Sequence, residues 1–223
     1  MRIAPDNPFS LTSLGVALDQ AGEYSRALDC YTKAMQIMPD IPDLLSNYGA
    51  ALVREGKLEE AAQHIRKAIC LRPTLREAYG NLGSALAAQG LYLEAAETFR
   101  KALRRDALDA QIHLNLGNVL FRQGLLEEAD QEYRETLRIR PGQLDAMNNI
   151  GIVEDARGRY AAAVAQFSRA LAVDPDHALT HHNLAATLVT MGDIPQARIH
   201  LRRALALRPD LRAAEQLLQR IGP

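Results

Sequence analysis

The chain has 223 residues, of which 48% are hydrophobic and 24% charged, and its 26 Lys and Arg nearly balance its 27 Asp and Glu. This composition excludes a disordered chain, because there is enough apolar surface to form a core. The net charge of -1, the absence of Trp and the few aromatic residues argue against nucleic acid as the main partner. Since no run of 18 apolar residues exists and MRIAPDNPFS lacks the apolar core of a signal peptide, we expect no membrane insertion and a cytoplasmic location.

A segment of similar sequence recurs every 34 residues along the chain. Its copies are LLSNYGAALVREG (44–56), EAYGNLGSALAAQG (77–90), IHLNLGNVLFRQG (112–124), AMNNIGIVEDARG (146–158) and THHNLAATLVTMG (180–192). A fixed period of this length is typical of an array built from one repeated supersecondary unit. We therefore predict six repeats, at 8–41, 42–75, 76–109, 110–143, 144–177 and 178–211, and number the positions within each from 1 to 34.

Each repeat is predicted to form two helices, A and B. A glycine at position 15 closes helix A, because glycine tolerates the left-handed backbone that ends a helix. Helix B then runs from acidic residues to basic residues, a polarity that complements the helix dipole. A proline at position 32 stops helix B in every repeat except the third, where Ala107 leaves the exit less sharply fixed. The glycines are Gly22, Gly56, Gly90, Gly124, Gly158 and Gly192.

Small residues indicate where the two helices of a repeat meet. Position 8 holds Gly15, Gly49, Gly83, Gly117, Gly151 and Ala185, and position 20 is alanine in all six repeats. Side chains of one carbon or none let two helix axes approach to the short end of the usual ~8 to 10 Å. Large apolar residues at helical spacing, such as Leu82, Leu86 and Phe99, are predicted to form the core around these contacts.

These residues resemble the tetratricopeptide repeat family, whose pattern pairs small residues at the helix crossing with large fillers and a closing proline. The resemblance implies an all-α fold, a right-handed superhelical solenoid of antiparallel helix pairs. Residues 212–223 are interpreted as a polar C-terminal capping helix, and residues 1–7 as the end of an upstream repeat. One position departs from the pattern: Glu154 stands where the other repeats have Leu, and we expect this carboxylate to be partly open or paired locally with Arg157.

Asparagine occupies position 6 of five repeats although it disfavours helix interiors. The five are Asn47, Asn81, Asn115, Asn149 and Asn183. Positions 2, 6, 9 and 13 lie on the side of helix A away from helix B, and the family resemblance implies that this stripe lines a concave groove. An amide side chain can bond both the C=O and the N–H of an extended peptide. Two explanations stay open: a row of asparagines that faces a ligand, or asparagines kept by duplication or bonded to the neighbouring helix.

Other residues of the stripe refine the predicted peptide-binding groove. Position 2 gives a mildly acidic edge of Asp43, Glu77 and Asp145 together with Gln111, and position 9 contributes Asn118 among mostly small residues. A ligand with some Lys, Arg, Ser or Thr is therefore favoured. The asparagine row is similar to that in the repeat region of O-linked N-acetylglucosamine transferases, which implies a binding mode for peptide main chains and no activity.

No catalytic motif or cofactor-binding motif is present, so we expect no enzyme and no cofactor. His177 and His181 are four residues apart and could share a helix face as metal ligands, but no third ligand is evident, and together with His182 they are interpreted as surface residues. Cys30 and Cys70 are interpreted as reduced thiols packed in helices. The favoured function is a protein interaction module that binds an extended peptide segment. The alternatives are an assembly scaffold or self-associating protein that uses its convex or end surfaces, and a substrate-recruiting region of a larger enzyme such as a glycosyltransferase.

Overall fold

The computed structural model describes residues 7–222, and these form thirteen α-helices and no β-strand. The interpretation of residues 1–7 as part of an upstream repeat falls almost wholly outside the described residues. The helices are α1 (Pro8–Gln20), α2 (Tyr24–Ile37), α3 (Pro42–Arg54), α4 (Leu58–Leu71), α5 (Arg76–Ala88), α6 (Tyr92–Leu103), α7 (Ala110–Arg122), α8 (Leu126–Ile139), α9 (Leu144–Ala156), α10 (Tyr160–Val173), α11 (Ala178–Met191), α12 (Ile194–Leu207) and α13 (Arg212–Ile221).

The predicted all-α fold of paired helices is confirmed. The chain forms two compact units, Met1–Gln123 and Gly124–Pro223. Unit 1 carries α1 to α7, and unit 2 carries α8 to α13. Within unit 1, α1 packs on α2, α3 on α4 and α5 on α6, and α3 also contacts the helices A on either side of it, α1 and α5.

Left-handed glycines end the A helices as predicted. All six glycines at position 15 have φ between 73° and 84°. In the first repeat this conformation lets the N–H of Gly22 donate to the carbonyl of Asp19 and the N–H of Glu23 to that of Leu18, at 3.1 and 2.9 Å. These bonds satisfy carbonyls that the end of a helix would otherwise leave unpaired.

The helices of a pair touch where position 8 has no side chain. A Cβ atom on Gly83 would lie 2.5 Å from the ring of Phe99, and one on Gly15 would lie 2.5 Å from the ring of Tyr31. Gly49 faces Ile65 in the same way, at 2.4 Å. The large residue at position 24 therefore fills the space that the missing Cβ leaves, and it is buried in each of these pairs. The predicted role of position 8 is confirmed for these repeats.

The third repeat ends differently from the others. Helix α6 has 12 residues, whereas the other B helices have 14. In place of the proline, the Asp106 carboxylate accepts from the N–H of Leu108 at 3.1 Å, and Asp109 caps α7 by accepting from the N–H groups of Gln111 and Ile112. The segment between α6 and α7, which lacks the proline of the other repeats, is thus held by two carboxylates.

Glu154 is buried and paired, as expected from its position. Its side chain is 7% exposed and lies 3.4 Å from the guanidinium of Arg157. The Arg159 guanidinium approaches the other carboxylate oxygen at 3.5 Å, and Arg134 lies at 3.9 Å. Arg157 also contacts Glu127 at 3.1 Å, so the cluster spans α8, α9 and the loop that follows α9.

We expect replacement of the two partners to have unequal effects. Glu154→Leu, which restores the residue of the other repeats, should leave the free energy of unfolding within about 1 kcal/mol of the wild type or raise it, because Arg157 keeps Glu127 as a partner. Arg157→Met should lower it by about 3 kcal/mol, because it strips the buried carboxylate of its nearest cation. Urea unfolding followed by circular dichroism measures both.

The exposed Arg169 provides a matched control for this comparison, since within residues 7–222 its guanidinium bonds only to Gln166, at 3.3 Å. Arg169→Met should change stability by no more than about 0.5 kcal/mol. If Glu154→Leu destabilised the protein as much as Arg157→Met, the carboxylate itself would be a net source of stability, contrary to this prediction.

The last helix packs against the end of the sixth repeat. Ala214 and Leu217 of α13 are buried in a core cluster with Leu201, and the opposite side of α13 is polar and exposed. Its role as a cap remains a prediction. None of the helices in the described part of the chain has the length and apolar character needed to cross a bilayer.

Candidate functional site

A depression made of two adjoining pockets lies along α5 and α7 of unit 1. One pocket of about 370 Å³ lies between α5 and α7, and a second of about 310 Å³ adjoins it, because Ser84 and Asn115 line both. The first is lined by Arg76, Glu77, Gly80, Asn81, Ser84, Ala102, Asp106, Asp109, Gln111, Ile112 and Asn115, and the second by Ser84, Ala87, Tyr92, Phe99, Asn115, Asn118, Val119 and Arg122. We call this depression the groove. It brings together Glu77, Asn81, Asn115 and Asn118 of the predicted site.

The first pocket of the groove is acidic. Its lining has one arginine and three carboxylates, which gives it a net charge of -2. The arginine, Arg76, pairs with Asp106 at 3.1 Å, and Asp109 accepts from the first N–H groups of α7. Among the described residues, Glu77 has no cationic partner within 4 Å, and its side chain is exposed. Glu77 is therefore the charge that the groove offers to a ligand.

Asn81 and Asn183 each bond to the preceding helix A. Asn81 donates through Nδ2 to the Ser46 hydroxyl at 3.0 Å, and Asn183 donates through Nδ2 to Oδ1 of Asn148 at 3.0 Å. Thr180 donates to the same Oδ1 at 3.1 Å. At Asn81 and Asn183 the bond to a neighbouring helix, one of the two explanations left open, is thus observed. It offsets the helix cost of asparagine with an interaction between repeats.

Asn115 differs because position 5 of the preceding repeat is glycine. Gly80 offers no side chain to bond, and Oδ1 of Asn115 instead accepts from Gln111, one turn earlier on α7, at 3.1 Å. A Cβ atom on Gly80 would lie 2.8 Å from Ile112. The glycine therefore both admits Ile112 and leaves the amide of Asn115 in the groove.

The remaining predicted site residues lie on helices A at the same repeat positions. Asn47 on α3 is half-buried, and Asp43 at the start of α3 forms an ion pair with Arg72. In unit 2, Asn149 on α9 is half-buried and accepts from Nδ2 of Asn148 at 3.4 Å, and Asp145 is exposed. The charge of Asp43 is therefore neutralised by Arg72, whereas Glu77 has no such cation among the described residues.

Sequence reasoning missed the residues at position 5 that bond the asparagines. Ser46 and Asn148 are buried polar side chains on the A helices. The signal that could have found them is the pairing of a polar residue at position 5 with asparagine at position 6 of the next repeat, 35 residues later.

The sequence predicted surface positions for the three histidines, but they do not all lie on the surface. His181 is 7% exposed, its Nδ1 lies 2.9 Å from Nδ1 of His200, and its Nε2 lies 2.9 Å from the carbonyl oxygen of Pro175. Burial, together with the charge of His181, lowers the pKa of His200, and burial lowers the pKa of His182. His177 caps α11 by accepting from the N–H of Thr180. The expectation was therefore wrong for His181.

Other candidate ligands do not gather into a site. Both cysteines are free, with Cys30 half-buried on α2 and Cys70 exposed on α4. Among residues 7–222, no three His, Cys, Asp or Glu side chains are arranged to hold a metal ion.

Four family profiles match the chain, each described as a tetratricopeptide repeat. They match residues 8–41, 42–67, 76–143 and 145–210, which together span most of its length. The chain is a tetratricopeptide repeat protein. A search of curated proteins gives no match.

Several solved structures share this fold. A chain of the APC/C hetero-tetramer Cut9–Hcn1 is 20% identical with a TM-score of 0.86; the alignment covers 98% of the present chain and 44% of that chain. MamA is 26% identical with a TM-score of 0.64, and the alignment covers 72% of the present chain and 94% of MamA. YrrB, a tetratricopeptide repeat protein with an unusual peptide-binding site, is 24% identical with a TM-score of 0.64. The alignment covers 85% of the present chain and 97% of YrrB. The present chain thus spans less than half of the Cut9–Hcn1 chain.

The bond between Asn81 and Ser46 predicts a measurable coupling between repeats. In a double-mutant cycle, Asn81→Ala and Ser46→Ala should show an interaction of about 0.5 to 1.5 kcal/mol in the free energy of unfolding. The matched cycle of Asn115→Ala with Ser46→Ala should give an interaction near zero, because Asn115 bonds on its own helix. Equal coupling in the two cycles would contradict the assignment of this bond.

Proposed function

We propose that this tetratricopeptide repeat protein is a non-catalytic protein interaction module that binds an extended peptide segment in the groove. The observation that carries the proposal is the continuity of the two pockets along α5 and α7, with amide side chains in both. A depression of about 300 to 400 Å³ per pocket suits a few residues of a peptide better than a whole folded domain.

The groove asparagines have the chemistry needed to hold a main chain. An amide offers one acceptor and two donors, and Asn81 uses only donors in its bond to Ser46. Within the described part of the chain, its Oδ1 accepts no hydrogen bond and is left for a peptide N–H. Since neighbouring A helices lie ~10 Å apart and an extended chain rises ~3.3 Å per residue, one asparagine meets about every third residue of the ligand.

The charge of the groove favours a ligand that contains Lys or Arg. The net charge of -2 in the first pocket attracts cations, and Glu77 is its carboxylate without a local partner. A ligand lysine or arginine near Glu77 fixes the register of the peptide, whereas the main-chain bonds tolerate many sequences. Main-chain bonding then supplies affinity, and Glu77 supplies selectivity.

The same mode extends, in this proposal, to the other asparagines and acidic residues at positions 2 and 6. Asn47 and Asp43 belong to unit 1, and Asn149, Asn183 and Asp145 belong to unit 2. The likeness of the asparagine row to that of O-linked N-acetylglucosamine transferases supports a main-chain binding role for them. Of the two acidic residues, Asp145 is the better placed to bind a cation of the ligand, because Asp43 already pairs with Arg72.

Peptide selection followed by measurement of affinity tests the proposal. Twelve-residue peptides selected from a random display library should be enriched in Lys and Arg. Fluorescence anisotropy with the tightest peptide should show roughly 5- to 100-fold weaker binding by the Asn81→Ala, Asn115→Ala double variant, because each lost hydrogen bond is worth about 0.5 to 1.5 kcal/mol.

The matched control removes two amides from the B helices of the same unit. Gln36→Ala with Gln63→Ala changes exposed side chains on α2 and α4 and should bind the peptide as the wild type does. Selected peptides that bound the asparagine double variant and the wild type equally well would refute the groove as the binding site.

A further inference from the structure

A pocket separate from the groove lies between the B helices α4 and α6 of unit 1, and residues of α5 also line it. It has a volume of about 500 Å³ and is lined by cationic side chains over an apolar floor. The cations are Arg66 on α4, Lys101 on α6, and Arg104 and Arg105 just after α6, and Ile69 and Leu82 contribute to the floor. We call it the basic pocket.

Most of the charge in the basic pocket is not neutralised by the protein. Arg66 lies 3.5 Å from Glu94, but in the described residues neither Lys101 nor Arg104 has a carboxylate within 4 Å. Both of these side chains are exposed. A concave surface concentrates the field of such charges and raises the local concentration of anions.

Arg105 is held in place by neutral groups. Its guanidinium lies 3.9 Å from the centre of the Tyr79 ring, and it donates to the Tyr79 hydroxyl at 2.8 Å and to the carbonyl of Lys101 at 2.8 Å. These contacts orient the cation and leave its charge intact. Binding to a cation that is already ordered costs less conformational entropy than binding to a flexible side chain.

Two of the four cations, Arg104 and Arg105, form a pair of basic residues that the other repeats lack at the same positions. At positions 29 and 30, where the third repeat has Arg104 and Arg105, the second has Cys70 and Leu71 and the fifth has Ala172 and Val173. A basic residue near a helix end complements the helix dipole, but that role accounts for only one or two such charges. Four cations around one depression exceed it.

We propose that the basic pocket binds an acidic segment of a protein partner, with carboxylates on Lys101, Arg104 and Arg105 and an apolar side chain on the floor. The charge complementarity and the mixed lining fit glutamate or aspartate next to a residue such as leucine. Nucleic acid fits less well, because Glu94 pairs with Arg66 and limits the basic area. The Tyr79 ring, 7% exposed and covered by Arg105, is no stacking platform.

The test uses a fluorescein-labelled peptide, Glu-Glu-Leu-Glu-Glu, and its glutamine analogue, Gln-Gln-Leu-Gln-Gln. We expect saturable binding of the acidic peptide, at least ten-fold weaker binding of the glutamine analogue, and loss of affinity as NaCl rises from 50 to 500 mM. The double variant Lys101→Ala, Arg104→Ala should bind the acidic peptide roughly ten-fold more weakly than the wild type.

A control of equal charge change removes two exposed cations elsewhere. Lys33→Ala with Arg202→Ala lowers the net charge by the same amount and should retain wild-type affinity. The proposal is overturned if both double variants weaken binding equally, since net charge alone then accounts for it. It is also overturned if a ten-nucleotide single-stranded RNA binds more tightly than the acidic peptide and is lost in Lys101→Ala, Arg104→Ala.

Discussion

The structure depends on the contact between position 8 of helix A and position 24 of helix B. With no Cβ on Gly83, the ring of Phe99 lies directly against the backbone of α5, and the same contact recurs between Gly15 and Tyr31. A side chain in place of either glycine would collide with the facing ring and push the two helices apart. Because the pair is rigid at this contact, the opposite side of helix A is presented at a fixed angle, and that side carries the groove residues.

Polar bonds between successive repeats then set how neighbouring repeats meet. Asn81 bonds Ser46, and Gln89 donates to the carbonyl of Leu58 at 2.8 Å in the same pair of repeats. Where a repeat departs from the pattern, the groove changes: Gly80 removes the partner of Asn115 and opens the first pocket. The third repeat thus presents an acidic groove on its helix A and a basic pocket at the end of its helix B, two surfaces of opposite charge in one unit.

Much of the fold could be predicted from sequence because its determinants are local or strictly periodic. Gly90 ends its helix through its own backbone conformation alone. Glu154 pairs with Arg157, which lies only three residues away in the sequence. The bond from Asn81 to Ser46 spans 35 residues, so it depends on how two helices are rotated against each other. The stacking of Arg105 on Tyr79 likewise depends on packing between helices, which periodicity does not encode.

The most direct test of peptide binding in the groove is a titration of ¹⁵N-labelled protein with the tightest selected peptide, followed by NMR. Side-chain amide signals report on the asparagines themselves. The groove mode predicts that the side-chain signals of Asn81 and Asn115 and the backbone signals of α5 and α7 shift on binding, while those of α2 and α4 stay in place. Shifts confined to the B helices, with the asparagine amides unchanged, would contradict it.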